Sequence, residues 1–164
     1  MSKQIALSKN KGFALVDDDD FDYINQWNWH LSIVKRKLYA KRFDYSTGKR
    51  VSISMHATIL GKVDGFEIDH KDGDGLNNQR SNLRYSTHVQ NIRNRKIGIN
   101  NKTGYKGVTL HRGKIRAQIG YERHYIHIGY FETFEEAAKA YDNKAIELFG
   151  EFAMTNYPRS DYAP

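Results

Sequence analysis

The stretch from Glu67 to Arg95 reads EIDHKDGDGLNNQRSNLRYSTHVQNIRNR. It begins with a strand-like run, and the next eight residues, 71–78, are rich in Gly, Asp and Asn, which favours a loop. A second short strand then leads to Ser86 or Thr87, either of which can cap a following helix. The sequence therefore predicts the order strand, loop, strand, helix.

Four polar residues in this stretch have the chemistry needed to cut a phosphodiester: Asp69, His70, Asn82 and Asn91. Such hydrolysis needs an activated water, a cation at the scissile phosphate and a group that holds the base in position. Histidine suits the base because its ordinary pKa of about 6.5 leaves it largely neutral at pH 7. Each residue alone is equally typical of turns and caps, but the four together favour a nuclease.

The same stretch resembles the HNH motif of the ββα-metal endonucleases, in particular the cysteine-free type of phage and intron-encoded homing endonucleases. The residues that carry the resemblance are Asp69-His70, Asn77-Asn78, Asn82-Leu83-Arg84, Thr87 and Asn91. The resemblance implies that His70 is the general base and that Asn82 orients its imidazole. It also implies that Asp69 and Asn91 bind one divalent cation, with Mg²⁺ expected and Mn²⁺ as the alternative.

Residues 1–62 precede this unit and are expected to form strands and short helices. Leu38–Phe43 and Arg50–Met55 are strand-like and flank a turn sequence, which predicts a basic hairpin. The four acids Asp17–Asp20 could be mistaken for a metal site, but acids before an apolar-periodic segment favour the N-terminus of a helix. His56 has two open interpretations, a phosphate contact or a packed structural histidine.

The C-terminal part predicts a small sheet covered by one helix. Lys114–Tyr121 alternates strictly between apolar and basic or polar residues, so one face of this strand is basic. The same alternation places Val108, Leu110, Ile126 and Ile128 on the inner face. Thr133 and Glu136 form a capping box before a helical apolar pattern, and Gly150 can end that helix.

This part resembles the DNA-binding domain of the APETALA-two and ethylene-response-factor (ERF) type. The motifs that carry the resemblance are Gly104–Val108, Ile128–Phe131, Glu135–Asp142 and Asn156–Pro158. It implies a three-stranded sheet in the major groove of DNA. Residues carried over by position and the basic residues of the same strands and turns are the predicted DNA contacts: Lys106, Thr109, His111, Arg112, Lys114, Arg116, Gln118, Arg123, Tyr125 and His127.

The amino-acid composition favours some classes of partner and functional site and excludes others. The 164 residues carry 26 Lys and Arg against 19 Asp and Glu, and this net charge of +7 favours a nucleic acid partner. The chain has no cysteine, so structural zinc held by thiolates and cysteine nucleophiles are excluded. No apolar run approaches the roughly 20 residues that cross a bilayer, which favours an intracellular, cytoplasmic protein without membrane contact.

The prediction is an α+β chain with four parts: an N-terminal hairpin region (1–62), an HNH unit (63–96), a basic linker (97–103) and an ERF-type domain (104–158). The predicted function is a site-recognising endonuclease of a phage or mobile element, acting as a monomer on double-stranded DNA without a small-molecule cofactor. A non-cutting DNA-binding regulator is the alternative. RNA binding is less favoured because the predicted sheet lacks pairs of exposed aromatic residues.

Overall fold

The structure is a computed structural model that describes residues 1–94, 97–98 and 101–162. Helices and antiparallel sheets are mixed along the chain, which confirms the predicted α+β class. The chain divides into two compact units, residues 1–88 and the residues from 89 onward. None of the helices in the described part of the chain is both long and apolar enough to cross a lipid bilayer.

The first unit starts with a two-stranded hairpin, a helix and a three-stranded sheet that leads into a second helix. These elements are β1 (Ser2–Ala6), β2 (Phe13–Asp17), α1 (Asp18–Asn25), β3 (His30–Val34), β4 (Lys37–Asp44), β5 (Val51–Ser54) and α2 (Met55–Leu60). The predicted basic hairpin is β4 and β5, and the strand order is β3-β4-β5. The third strand, β3, was not predicted from the sequence.

One hydrophobic core holds this unit together. Ile5 of β1, Val16 of β2 and Ile24 of α1 are almost fully buried in it, as is Met55 at the start of α2. Trp29 lies among them and its Nε1 donates a hydrogen bond to the carbonyl of Ile24 over 2.8 Å. The core therefore joins the N-terminal hairpin, α1 and the three-stranded sheet into one body.

The nuclease motif folds in the predicted order. β6 (Glu67–His70) pairs antiparallel with β7 (Leu83–Ser86), and α3 (His88–Arg93) follows. The intervening loop is tied to β2, because Leu15 accepts a hydrogen bond from the amide of Asn78 and donates one to the carbonyl of Leu76, each over 2.8 Å. The N-terminal hairpin thus supports the loop beside His70.

The second unit is the predicted three-stranded sheet with one helix. β8 (Val108–His111), β9 (Lys114–Tyr121) and β10 (His124–Phe131) pair in the order β10-β9-β8. The helix α4 (Phe134–Phe149) packs against them through Ala137 and Ala138. The capping box is confirmed, since Thr133 Oγ1 accepts from the amide of Glu136 and the Glu136 carboxylate accepts from the amide of Thr133, each over 3.2 Å.

In this unit, one residue of the predicted inner face is exposed, and part of the predicted linker lies outside the described residues. Val108 is buried, and Ile126 and Ile128 pack on the core. Leu110 lies on the same face, paired with Ile115, but it is 63% exposed. Alternation sets the face of a strand on which a residue lies, but not whether a helix covers that position. Of the predicted basic linker 97–103, Ile99 and Asn100 lie outside the described residues, as do Arg95 and Lys96 before it.

Candidate nuclease site and DNA-binding face

Asp69 lies in the hairpin of β6 and β7 and forms a buried ion pair. It pairs in register with Arg84. Arg84 donates to the same carboxylate oxygen, Oδ2, through Nε over 3.0 Å and through Nη2 over 2.8 Å. The two side chains are 4% and 9% exposed, so the negative charge of Asp69 is balanced by a guanidinium inside the protein.

His70 ends β6 and is 5% exposed. Its Nε2 lies 3.4 Å from Oδ1 of Asn78, a fully buried side chain. The Asn78 amide has a defined orientation, because its Nδ2 donates to the carbonyl of Leu76 over 3.1 Å. Oδ1 therefore faces the imidazole as a hydrogen-bond acceptor.

Two further rings surround the imidazole of His70. The ring of His56 lies edge-on at 5.0 Å from that of His70, and the ring of Tyr39 lies at 6.0 Å. Burial lowers the pKa of His56 to about 3, and the nearby positive charges of His70 and Lys41 lower it further. His56 is thus a packed neutral ring against the predicted base.

Burial also lowers the pKa of His70. Its hydrogen bond with Asn78 and the carboxylates of Asp72, Asp69 and Asp74 act in the opposite direction but do not outweigh burial. An imidazole with a lowered pKa is neutral at pH 7 and has a lone pair available on one ring nitrogen.

Asn82 holds the loop closed. Its Nδ2 donates to Asp72 Oδ1 over 3.0 Å and to the carbonyl of Asn77 over 2.8 Å, while its Oδ1 accepts from the amide of Asp72 over 3.1 Å. The imidazole contact that the HNH resemblance implies for Asn82 is made here by Asn78 instead. A catalytic role of Asn82 stays a prediction, and its observed hydrogen bonds shape the loop that carries Asn78.

The acidic run at the start of α1 binds residues 79 and 80 of the same loop. α1 begins at Asp18, which confirms that these acids lie at a helix N-terminus. In addition, Asp17 accepts from Gln79 Nε2 over 3.0 Å and from the amide of Arg80 over 2.7 Å. Asp20, which is buried, accepts from Nε and Nη2 of Arg80 over 2.8 and 2.7 Å. These contacts, which we call the Arg80 clamp, were not predicted from the sequence.

In the second unit, strand pairing brings most of the predicted DNA contacts to one side of the sheet. Thr109 and Arg116 are paired, as are His111 and Lys114, His127 and Gln118, and Tyr125 and Gly120. We call this side the outer face; it comprises Thr109, His111, Lys114, Arg116, Gln118, Tyr125, His127 and Tyr130. Arg112 and Arg123 lie in the two turns that border it and are exposed.

Lys106 lies apart from the outer face. It precedes β8, and its Nζ donates to the carbonyl of Arg93 over 2.9 Å. Burial lowers its pKa to about 8, although the carboxylate of Asp142 acts to raise it. Its backbone is held by the side chain of Asn156. Its predicted contact with DNA stays a prediction.

A bulge in β10 adds a residue that alternation does not predict. The pairing register shifts between His127 and Gly129, so Tyr130 pairs with Arg116 and joins the outer face. Its ring lies 4.9 Å from that of His127 and 5.8 Å from Lys114 Nζ. Tyr125 and Tyr130 are 77% and 49% exposed. The argument against RNA binding was therefore wrong in its premise, because the sheet does carry exposed aromatic residues.

Comparison with known proteins shows which family the stretch around His70 is similar to. The family model described as HNH endonuclease matches residues 57–93. A protein of Acanthamoeba polyphaga mimivirus, described as an uncharacterized HNH endonuclease, is 32% identical over 155 residues, which are 92% of this chain and 78% of the relative. The chain belongs to the HNH endonuclease family. No solved structure matches this HNH endonuclease at a comparable level of significance.

Plant proteins of the APETALA-two and ERF type are also similar to this HNH endonuclease. An APETALA2-like protein 2 of Oryza sativa subsp. indica is 29% identical over 149 residues, 84% of this chain and 33% of the relative. The ethylene-responsive transcription factor ERF069 of Arabidopsis thaliana is 39% identical over 100 residues, 57% of this chain and 61% of the relative. The resemblance to the APETALA-two and ERF type is confirmed, while the chain spans less than two thirds of each plant protein.

HNH endonucleases use a divalent metal ion, and the donor chemistry here fits one. Asp69 would supply a carboxylate oxygen to the cation, while its Oδ2 also accepts from Arg84. Asn91 would add an amide oxygen; it lies on α3 in the second unit, and its role stays a prediction. Within the described ranges no group of three or more His, Cys, Asp or Glu could hold a metal ion.

Three residues that contact the candidate site were not predicted as site residues. They differ in how far the sequence could have indicated their role. Arg84 could have been found by counting the hairpin register, since an opposite charge faces Asp69 across the strands. Asn78 looks like any turn residue of a Gly-, Asp- and Asn-rich loop. Arg80 pairs with an acid 60 residues away, and no local pattern indicates that contact.

Proposed function

We propose that this HNH endonuclease hydrolyses double-stranded DNA with His70 as the general base, one divalent cation held by Asp69 and Asn91, and the outer face of the second unit as a DNA anchor. The observation that supports the proposal most directly is the environment of His70. Its imidazole is buried at the end of β6, and its Nε2 lies against an acceptor oxygen of defined orientation, Asn78 Oδ1.

The hydrogen bond with Asn78 assigns the two ring nitrogens. An amide oxygen only accepts, so Nε2 of His70 carries the hydrogen in the neutral imidazole and Nδ1 carries the lone pair. Nδ1 takes a proton from a water molecule, and the resulting hydroxide forms a bond to phosphorus. The bond from phosphorus to the 3′ oxygen breaks, and this oxygen takes a proton from a second water molecule, which leaves 5′-phosphate and 3′-hydroxyl ends.

A divalent cation, when bound, stabilises the charge of the pentavalent phosphorane and of the departing 3′ oxygen. Mg²⁺ is the proposed ion and Mn²⁺ the alternative. Arg84 neutralises part of the charge of Asp69, which favours weak binding of the cation in the absence of DNA. Both protein ligands supply oxygen, the donor atom that these hard cations prefer.

The second unit is proposed to hold the enzyme on duplex DNA. Its outer face and bordering turns combine Lys114, Arg116, Arg112 and Arg123 with aromatic and amide side chains, a composition suited to phosphate contact and base recognition. The plant relatives carry transcription factor names, which supports a DNA partner. Recognition of one site, as in homing endonucleases, and nicking of one strand by a single monomer complete the proposal.

A non-cutting DNA-binding regulator is the second candidate. The ion pair with Arg84 favours it, because the carboxylate of Asp69 already has a cationic partner, and so does the similarity to plant transcription factors. The two candidates differ in one observable property, cation-dependent strand scission.

The test is the conversion of supercoiled plasmid to nicked or linear DNA with Mg²⁺, with Mn²⁺ and with EDTA. We expect wild-type protein to cut only with a cation and His70→Ala to bind the plasmid without cutting it. His124→Ala changes an exposed histidine at the first position of β10 and serves as the matched control that retains activity. Tight binding without scission by wild-type protein under all three conditions would favour the regulator.

A further inference from the structure

The three-stranded sheet of the first unit has a second face, opposite to the hydrophobic core. Ala40, 1% exposed, and Leu31 lie on the core side of the sheet. Lys41 lies on the other side, paired with His30 of β3 and with Ser54 of β5. We call this other side the hairpin face. Its strand residues, by register, are Lys37, Tyr39, Lys41, Phe43, His30, Ser32, Val34, Ser52 and Ser54, and it includes Arg50, which directly precedes β5 and lies over Phe43.

The hairpin face is basic and carries a partly exposed aromatic ring. Its strand residues include Lys37 and Lys41 and no acid. Phe43 is 41% exposed, stacks on the ring of His30 at 4.4 Å, and has the guanidinium of Arg50 at 4.7 Å from its centre. A flat guanidinium beside lysine and serine side chains offers many hydrogen-bond donors to phosphate oxygens.

The same face continues to the predicted base. Tyr39 of β4 lies 6.0 Å from the ring of His70 and 5.9 Å from that of His56. Lys41 is close enough to His56 for its charge to lower the pKa of that ring. From Tyr39 to Phe43 the strand advances about 13 Å at about 3.3 Å per residue. That length equals the axial rise of about four nucleotides in one strand of duplex DNA.

We infer that the hairpin face binds the phosphate and sugar backbone of duplex DNA, within about four nucleotides of the phosphate that His70 attacks. Lys41 and Arg50 contact phosphates, and Phe43 packs against a sugar. The inference rests on the proposed function, since it takes DNA as the substrate. Backbone contact is favoured over base recognition because the face offers lysine, arginine and serine donors and no Asn or Gln side chain.

The test measures binding of a 30-base-pair duplex of arbitrary sequence by the full chain carrying His70→Ala, over a series of salt concentrations. Adding Lys41→Ala and Arg50→Ala should reduce the slope of log K against log salt by about 1.8, at about 0.9 for each phosphate contact. Affinity at about 0.1 M salt should fall about eightfold for each lost contact, from the same relation. Phe43→Ala should weaken binding without changing the slope.

Lys3→Ala with Lys11→Ala is the matched control, because it removes the same net charge outside this sheet. An unchanged slope in the hairpin-face variant, or an equal loss in the control, overturns the inference. Where the alanine variant fails to fold by circular dichroism, Lys41→Gln with Arg50→Gln replaces it. The His70→Ala background separates this inference from the proposed function. If wild-type protein does not cut DNA, the binding test remains valid. If wild-type protein cuts DNA but the hairpin-face variant has an unchanged salt slope, only the inference about the hairpin face is refuted.

Discussion

At the candidate site, the side chains of Asp69 and His70 are each held by a residue that takes no direct part in the proposed reaction. Asp69 is neutralised by Arg84, and His70 is held by Asn78. A buried charge that loses its partner costs far more than the pair contributes, and a buried acceptor that is removed leaves its donor unsatisfied. Substitutions here therefore change stability and chemistry together, and each needs a measurement of both.

Asp69→Asn should destabilise the protein by about 3–5 kcal/mol even without a metal ion, because it breaks the buried ion pair with the guanidinium of Arg84. Urea unfolding in EDTA measures this cost. The double variant Asp69→Asn with Arg84→Met should recover part of the loss while remaining inactive. Equal stability of Asp69→Asn and wild-type protein would contradict the buried ion pair.

Asn78→Ala should lower kcat roughly tenfold or more with little change in KM, because the imidazole loses the acceptor that holds its hydrogen on Nε2. The ¹⁵N chemical shifts of the His70 ring should show the Nε2–H tautomer in wild-type protein and a mixture in the variant. Asn78→Asp keeps an acceptor oxygen and should retain the tautomer. An unchanged tautomer in Asn78→Ala would show that another contact sets it.

At the scale of elements, the loop between β6 and β7 depends on segments far away in sequence. β2 bonds to its backbone through Leu15, and the start of α1 clamps Arg80 through Asp17 and Asp20. The second unit uses a similar device, since the buried carboxylate of Asp142 in α4 accepts from the backbone amides of Asn156 and Tyr157 in the C-terminal segment. Each element thus positions a loop that has little regular structure of its own.

Asp20→Asn should loosen the loop that carries Asn78, because Arg80 loses its charged partner in α1. We expect faster amide hydrogen exchange in residues 77–82 and a lower rate of DNA cutting. Asp22→Asn removes an exposed acid from the same helix and is the matched control. Unchanged exchange in Asp20→Asn would mean that the backbone bonds of Leu15 suffice.

Gly107→Ala should strongly destabilise the second unit, because a Cβ at this position would overlap the ring of Tyr141 and the backbone has a φ of +77°. Gly104→Ala is the matched control: its φ is +78°, but a Cβ there meets nothing within 4 Å. We expect about 1 kcal/mol for the control, the cost of a left-handed non-glycine residue, and a larger loss for Gly107→Ala in urea unfolding. Similar losses for both would exclude the overlap as the cause.

At the scale of the whole molecule, the chain has the β6–β7 hairpin of the nuclease motif in the first compact unit, and most of α3 and a sheet of the APETALA-two and ERF type in the second. Its net charge of +7 favours association with an anionic polymer before any specific contact forms. In the proposed function, the first unit supplies the general base, and the sheet of the second unit supplies most of the affinity. Rates and affinities should therefore respond to different substitutions.

Lys114→Ala with Arg116→Ala on the outer face should raise KM for plasmid cutting and leave kcat unchanged, because these contacts are made equally before and during the reaction. Lys139→Ala with Lys144→Ala changes two lysines of α4 and is the charge-matched control. A fall in kcat with unchanged KM would place the outer face in the chemical step instead. Binding of single-stranded RNA by wild-type protein and by Tyr125→Ala with Tyr130→Ala measures whether these exposed rings stack on unpaired bases.

The sequence by itself determined the elements whose causes are local. The strand, loop, strand and helix of the nuclease motif follow from alternation and turn residues, and the start of α4 follows from the Thr133 capping box. Strict alternation in β9 also identified the polar side of the sheet correctly. These features depend on backbone preferences over a few residues, so they can be read without knowing what packs against them.

Only the tertiary structure decided which of several similar residues reaches a given partner. Asn78 and Asn82 share one loop and one side-chain chemistry, yet it is Asn78 that meets His70, because β2 binds the backbone beside it. The clamp of Asp20 on Arg80 joins residues 60 apart. The bulge that brings Tyr130 to the outer face depends on how β10 pairs with β9. Such contacts arise from the packing of distant segments, which local conformational preference does not encode.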